Sequence, residues 1–222
     1  GLVPGNYLVE MRDLNEPDCK KALGTITITK PLPITATLTP THVSCFAGND
    51  GKITISDAKN GSGIFQYRIN GGTWGSGLEF SNLPAGTYTI DMRDFVAPDC
   101  IETLPVVTIT EPNQLTAAVV STNISCFGSK DGTIIIQNSS GGSGSFEYSI
   151  DGATWATKTS YTNLGPGTYY VLIRDSKASK CVVSLSTEII TEPLQLAATL
   201  SQTNISCYGA KDGSITISDP KN

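Results

Sequence analysis

The stretch that decides the fold is LGPGTYYVLI at residues 164–173. Its first six residues follow the pattern L-x-x-G-x-Y, and an apolar strand comes directly after them. The pattern is typical of a tyrosine corner, in which the Tyr hydroxyl bonds back to the backbone at the crossing between two sheets. LPAGTY at 83–88 and LVPGNY at 2–7 repeat it. We therefore expect structural tyrosine corners at Tyr7, Tyr88 and Tyr169.

These three segments belong to a repeat with a fixed period of 81 residues. The period also relates Cys19, Cys100 and Cys181; Cys45, Cys126 and Cys207; Trp74 and Trp155; and Pro31, Pro112 and Pro193. A fixed period is the signature of a modular array. It predicts two complete repeats, 31–111 and 112–192, between the back part of a truncated repeat at 1–30 and the front part of a further repeat at 193–222. We expect the chain to be a segment of a longer array.

Each repeat has the pattern of an all-β domain. FQYRI at 65–69 and FEYSI at 146–150 alternate large apolar and polar residues, and NG at 70–71 or DG at 151–152 follows as a turn. About seven short strands and no amphipathic helix predict tandem immunoglobulin-like Greek-key β-sandwich modules. Trp74 and Trp155 are expected as core plugs. The predicted inward set is Ile53, Ile55, Phe65, Tyr67, Ile69, Trp74, Leu83, Tyr88 and Ile90, with their equivalents 81 residues later.

Two short signals complete the repeat. Arg93-Asp94 and Arg174-Asp175 close a strand, and we interpret them as structural ion pairs. The connections at Pro31, Pro112 and Pro193 are very short, and proline limits swivel there. We therefore expect neighbouring repeats to stack as an extended, stiff rod.

Composition excludes several classes of protein. The net charge of −5 argues against nucleic-acid binding, which needs a basic face. No run of about 18 apolar residues is present, so membrane insertion is not expected. Six cysteines in a chain rich in Thr, Ser, Gly and Asn fit an oxidising, extracellular location.

The order of motifs resembles the SprB repeat of Bacteroidota cell-surface gliding adhesins. The motifs are CFG at 126–128, DGTI at 131–134, GG at 141–142, FEYSIDG at 146–152, Trp155, the corner at 164–169, Arg174-Asp175, Cys181 and ITEP at 190–193. The resemblance covers both complete repeats and extends into both flanking parts. It implies a protein exported by the type IX secretion system and displayed as a filament associated with the outer membrane. It also implies gliding motility, and it carries over no catalytic residue.

Catalytic, cofactor and metal sites are not expected. His42 is the single histidine, and Asn123 and Asn204 replace it in the other copies, so no Ser-His-Asp or Cys-His arrangement can be built. Asp50, Asp131 and Asp212 each precede a glycine, and we interpret them as turn residues because a calcium site needs several converging oxygens.

Two functions without catalysis remain. The repeats form a stalk that contacts only neighbouring repeats, or they bind polysaccharide or a substratum through exposed loops. The stretches 75–79 and 156–160 differ completely between copies, which favours the stalk because a site used in every repeat should recur.

The period leaves three regular disulfide schemes, with spacings of 26, 55 and 136 residues. Tracing the strands places Cys45 and Cys100 at opposite ends of one sandwich, too far apart for a disulfide. Pairing of Cys100 with Cys126 would require a hairpin around Pro112. We therefore predict Cys45–Cys181 across the repeat boundary, with the partners of Cys100 and Cys126 outside this chain. Cys19 and Cys207 belong to the same two periodic sets.

Overall fold

The computed structural model describes residues 1–221 and is built of β-strands throughout. It forms two compact units. Unit 1 contains residues 1–42 and 49–110, and unit 2 contains residues 43–48 together with Glu111 onward. The segment Val43–Gly48, which precedes the predicted repeat boundary, therefore belongs to the second unit.

Unit 1 opens with a hairpin and continues with one complete repeat. The hairpin strands are β1 (Gly5–Arg12) and β2 (Lys20–Ile28). The repeat contains β3 (Thr35–Thr41), β4 (Gly51–Lys59), β5 (Phe65–Ile69), β6 (Glu79–Leu83), β7 (Gly86–Tyr88), β8 (Ile90–Asp94), β9 (Ile101–Thr103) and β10 (Val107–Ile109). One sheet has the order β3-β4-β6, a second has the order β5-β8-β9, and β7 pairs with β10.

Unit 2 contains the second complete repeat and a closing hairpin. The repeat contains β11 (Thr116–Thr122), β12 (Gly132–Ser140), β13 (Phe146–Ser149), β14 (Ser160–Leu164), β15 (Gly167–Asp175) and β16 (Val182–Ile190). Its sheets have the orders β11-β12-β14 and β13-β15-β16. The hairpin strands are β17 (Ala197–Thr203) and β18 (Ser214–Lys221).

This topology is the immunoglobulin-like sandwich that the sequence predicted. Two three-stranded antiparallel sheets enclose one core in the second repeat, and strands three and five of the chain pair across the Greek key. Each repeat has six strand positions instead of about seven. In the first repeat the last two positions are divided, as β7–β8 and β9–β10. The connection from β13 to β14 is too short for another strand and makes a single bridge, Tyr148 to Ala156.

The core follows from strand alternation, because every second side chain points inward. Ile53, Ile55, Tyr67, Tyr88 and Ile90 are buried, as predicted. Phe65, Ile69 and Leu83 are half-buried at the margin of the same core. The second core consists of Leu115, Ile124, Ile134, Ile136, Tyr148, Tyr161, Val171, Ile173 and Ile190.

The two predicted turns differ from each other. Asn70 and Gly71 both have positive φ, and Gly72 N donates to Ile69 O at 2.8 Å, so this turn is of type I′. At the equivalent place only Gly152 has positive φ. Asp151 there accepts hydrogen bonds from the Ala153 and Thr154 amides at 2.9 and 2.8 Å. Asp-Gly can therefore cap the turn with its carboxylate instead of forming type I′.

Candidate functional site

A disulfide joins the two complete repeats, at the position that the sequence predicted. Cys45 and Cys181 are bonded, with their Cα atoms 5.3 Å apart and 136 residues between them in sequence. Cys45 lies in the loop between β3 and β4 and Cys181 in the loop between β15 and β16. Both residues belong to unit 2, because the segment Val43–Gly48 is part of that unit. The bond therefore crosses the repeat boundary of the sequence within one compact unit.

The loop that carries Cys45 is seated in a groove of unit 2. Pro112–Leu115 and Lys180–Val183 line the groove together with Cys45 and Phe46. Val43 is buried, and the Ala47 amide donates to a carboxylate oxygen of Glu111. A cavity of about 160 Å³ remains around the seated loop. The disulfide is thus one contact of a packed junction.

A buried carboxylate organises the Cys181 side of this junction. Asp175 is 4% exposed and accepts hydrogen bonds from Ser143 N, Ser143 Oγ at 2.7 Å and Lys177 N at 2.8 Å. The Cys181 amide donates to Ala178 O at 2.8 Å, which closes the loop after Asp175. Gly142 has φ of +50°, and a Cβ there would lie 2.4 Å from the Asp175 carboxylate. The position therefore requires glycine.

The first repeat contains the same carboxylate site. Asp94 is 4% exposed and accepts from Ser62 N, Ser62 Oγ and Val96 N. These bonds, from the Ser62 hydroxyl first, lower the pKa of Asp94 to about 2, although burial opposes the shift. Burial also raises the pKa of Asp175, but the bonds from Ser143 and Lys177 outweigh it and the net pKa is lowered. Both carboxylates stay ionised inside the fold.

The predicted ion pairs between adjacent Arg and Asp residues are wrong. Successive residues of a strand point to opposite faces, so Asp94 points inward and Arg93 outward. Arg93 binds the side chain of Gln66, and Arg174 forms an ion pair with Glu147 at 2.7 Å. The pairing partner of each arginine is therefore on the neighbouring strand, not next to it in sequence.

The prediction that Trp74 and Trp155 are core plugs is also wrong. Both side chains are half-buried. Trp74 stacks with Arg68 and Arg93, whose guanidinium carbons lie 4.6 and 4.4 Å from the ring centroid. Trp155 stacks with Arg174 at 4.4 Å. Because these arginines project from the outer face of the sheet, the tryptophans lie on that outer face, held by cation–π contacts.

The backbone explains this placement. Gly75 pairs with Tyr67, and Ala156 pairs with Tyr148. Tyr67 and Tyr148 point into the core, so the residue before each bridge partner points away from it. A signal was present in the sequence, because Arg68, Arg93 and Arg174 occupy outward positions beside each predicted strand and offer a cation for the ring.

The tyrosine corners have the hydrogen bonds that the L-x-x-G-x-Y pattern predicts. Tyr88 Oη donates to Pro84 O at 2.8 Å, and Tyr169 Oη donates to Gly165 O at 3.0 Å. In the first hairpin Tyr7 Oη donates to Val3 O at 2.6 Å. Each bond spans four residues and fixes the turn that leads into the following strand.

The four remaining cysteines are exposed thiols: Cys19, Cys100, Cys126 and Cys207. Cys100 borders a cavity of about 460 Å³ lined by Lys30–Ile34 and Cys100–Glu102. Cys126 borders a cavity of about 560 Å³ lined by Ser125–Phe127 and Pro193–Leu196. By the 81-residue period, each cavity is an open counterpart of the filled groove at Cys45–Cys181.

The polar residues considered for chemistry serve the backbone. His42 Nδ1 accepts from Thr110 N at 3.0 Å, and Asn123 Oδ1 accepts from Thr191 N at the same distance in the next repeat. Asp131 binds the Ser125 amide and hydroxyl, and Asp212 binds the Ser206 amide. Within residues 1–221, no three His, Cys, Asp or Glu side chains cluster as metal ligands. In the same range, no helix is long and apolar enough to span a membrane.

Comparison with known proteins identifies the repeat. The SprB repeat model matches residues 37–73, 118–154 and 199–218, three segments related by the same 81-residue period. No curated protein matches the chain at a significant level.

Two solved structures share its general form. One is a C-terminal fragment of intimin in complex with the intimin-binding domain of its translocated receptor. It is 15% identical with a TM-score of 0.37, and the match covers 75% of this chain and 67% of that one. The other is the three N-terminal domains of the outer capsid protein Hoc of bacteriophage RB49. It is 12% identical with a TM-score of 0.39, and covers 85% and 70%. The family matches and the fold agree with the motifs of the sequence: the chain belongs to the SprB repeat family.

Proposed function

We propose that the chain is the structural repeat region of a bacterial cell-surface adhesin, an extended stalk or filament of the gliding-motility type. The SprB matches support a repeat region of a surface adhesin. The observation that carries the stalk function is the Cys45–Cys181 disulfide, which ties one repeat to the next. The proposal includes no enzymatic activity.

The disulfide suits a chain under tension. A pull on both termini passes from Cys45 to Cys181 through the sulfur atoms, so the chain between them carries no load while the bond is intact. Closing a loop of 136 residues also restricts the unfolded chain, which stabilises the fold by on the order of 5 kcal/mol. Both effects favour a repeat that stays folded when pulled.

The location follows from the same bond. Disulfides persist in oxidising compartments, and an extracellular filament associated with the outer membrane meets that condition. Export by the type IX system and a source in Bacteroidota complete the proposal, on the strength of the family resemblance.

Labelling of intact cells tests this function. Fluorescent Fab fragments raised against residues 31–192 should label cells that make the parent protein, and the label should travel along the cell surface. Label that appears only after permeabilisation would refute the surface location. Surface label that stays in place would refute the gliding assignment and leave the stalk intact.

A second function, polysaccharide binding by the repeats, is favoured by the position of Trp74 and Trp155. Both lie on the outer face of a sheet at the same place in each repeat, where an aromatic ring can stack on a sugar. Pull-down on extracellular polysaccharide should compare the native chain with a Trp74→Ala/Trp155→Ala variant. Binding that the variant loses would support this function, and no binding by the native chain would contradict it.

A further inference from the structure

The hairpin at the end of the described chain exposes side chains that form the core in a complete repeat. Ile215 and Ile217 of β18 are 79% and 67% exposed. Their equivalents in β12, Ile134 and Ile136, are 0% and 3% exposed. Strands β17 and β18 therefore form one half of a sandwich with an uncovered inner face.

The first hairpin is the complementary half. Val9 and Met11 of β1 are 36% and 55% exposed, whereas their equivalents in β15, Val171 and Ile173, are fully buried. In the complete repeat, Ile134 and Ile136 share one core with Val171 and Ile173. The inner faces of the two hairpins thus match each other in residue type and register.

We propose that two copies of this chain associate head to tail, with hairpin β17–β18 of one copy packed on hairpin β1–β2 of the other. The contact is heterologous, so each copy keeps one free hairpin at either end and the association can propagate into a filament. The joined hairpins supply four of the six strand positions of a repeat. The equivalents of β13 and β14 are missing, so we expect the contact to be weaker than a complete repeat until it is cross-linked. This proposal does not depend on the stalk function.

The exposed cysteines provide the cross-links. Cys19 occupies the periodic position of Cys181, so in the joined repeat it faces Cys126 of the first copy as Cys181 faces Cys45. In the same way Cys207 faces Cys100 of the second copy. Residues 18–21 would enter the cavity of about 560 Å³ at Cys126, and the Cys207 loop would enter the cavity of about 460 Å³ at Cys100.

The bonds form by exchange with a disulfide oxidant such as oxidised glutathione. The Cys126 thiolate attacks one glutathione sulfur and releases one reduced glutathione. The Cys19 thiolate of the other copy then attacks the Cys126 sulfur of the mixed disulfide and releases the second. Two protein thiols are oxidised, one glutathione disulfide is reduced, and the two thiol protons leave with the two glutathiones. Cys207 and Cys100 react in the same way.

Peptide mapping of the cross-linked chain tests the proposal. An equal mixture of ¹⁴N- and ¹⁵N-labelled full chain is incubated at high concentration in a glutathione redox buffer and then digested without reduction. We expect a ladder of oligomers in which Cys19–Cys126 and Cys100–Cys207 dominate, each as mixed-isotope peptides that join two copies. Cys19→Ser should remove the first bond and keep the second.

A matched pair of variants tests the docked face. Ile215→Asp places a charge on the inner face of β18 and should lower the yield of both bonds by about tenfold, because a buried unpaired charge is costly. Thr216→Asp places the same charge on the opposite face and should leave the yield unchanged. Dominant Cys100–Cys126 or Cys19–Cys207 pairs, a statistical mixture, bonds within one copy, or equal yields from the two variants would each overturn the proposal.

Discussion

Replacement of Asp175 by alanine should destabilise unit 2 far more than its exposure on the sequence suggests. The side chain is 4% exposed and accepts three hydrogen bonds, from Ser143 N, Ser143 Oγ and Lys177 N. A hydrogen bond to a charged group contributes about 1.5–3 kcal/mol, and the donors left behind are partly shielded from water. Because water replaces some of these bonds, we expect a net loss of about 3–5 kcal/mol.

Guanidinium unfolding in a Trp74→Phe background measures this loss. Trp155 is then the single tryptophan, and it stacks on Arg174 next to the substituted residue. Asp13→Ala is the matched control, because Asp13 has the equivalent position in the first hairpin but binds Asn15 N at an exposed site. We expect the control to change stability by less than about 0.5 kcal/mol. A loss below that value for Asp175→Ala would refute the anchoring role of the carboxylate.

Three further predictions concern other parts of the repeat. Tyr169→Phe removes the bond to Gly165 O and should cost about 1 kcal/mol in a thermal melt, and an unchanged melt would contradict the corner. Trp155→Ala should cost more than Trp155→Phe in the same assay, because alanine loses both the stacking on Arg174 and the apolar area, and equal costs would contradict the stacking. Stability should fall with acid: the pKa of Asp94 is about 2 in the fold and near 3.9 when unfolded, so its contribution is complete above about pH 4 and is lost towards pH 2. Circular dichroism melts between these pH values should show the fall, and Asp94→Asn should flatten it; identical pH profiles would contradict the assignment.

The parts of this structure that follow local rules could be predicted from the sequence. Alternation with a period of two placed Ile53, Ile55 and Tyr67 in the core, and the L-x-x-G-x-Y spacing gave the corner at Tyr88. The Cys45–Cys181 bond required only the repeat period and the direction of each strand. These features depend on few residues that are close in sequence or fixed by the period.

The remaining features depend on contacts that the chain makes after a turn. Trp74 was assigned to the core because a large aromatic residue usually plugs a small sandwich, but the Tyr67–Gly75 bridge turns it outward. Asp94 continues the inward series of Ile90 and Met92, and that alternation could have located it. A charged residue at an inward position was instead paired with its sequence neighbour, because the Ser62 loop that satisfies it lies far away in sequence.

Single-molecule force spectroscopy tests the central claim, that the Cys45–Cys181 bond carries tension past the folded chain between the two cysteines. The full chain is pulled from its termini in oxidising and in reducing buffer. At about 3.5 Å per residue, the 136-residue separation hides about 470 Å of extensible length, which should be released only in reducing buffer. Equal total extension in both buffers would show that the bond does not carry the load, and would contradict the account of these repeats as a stalk.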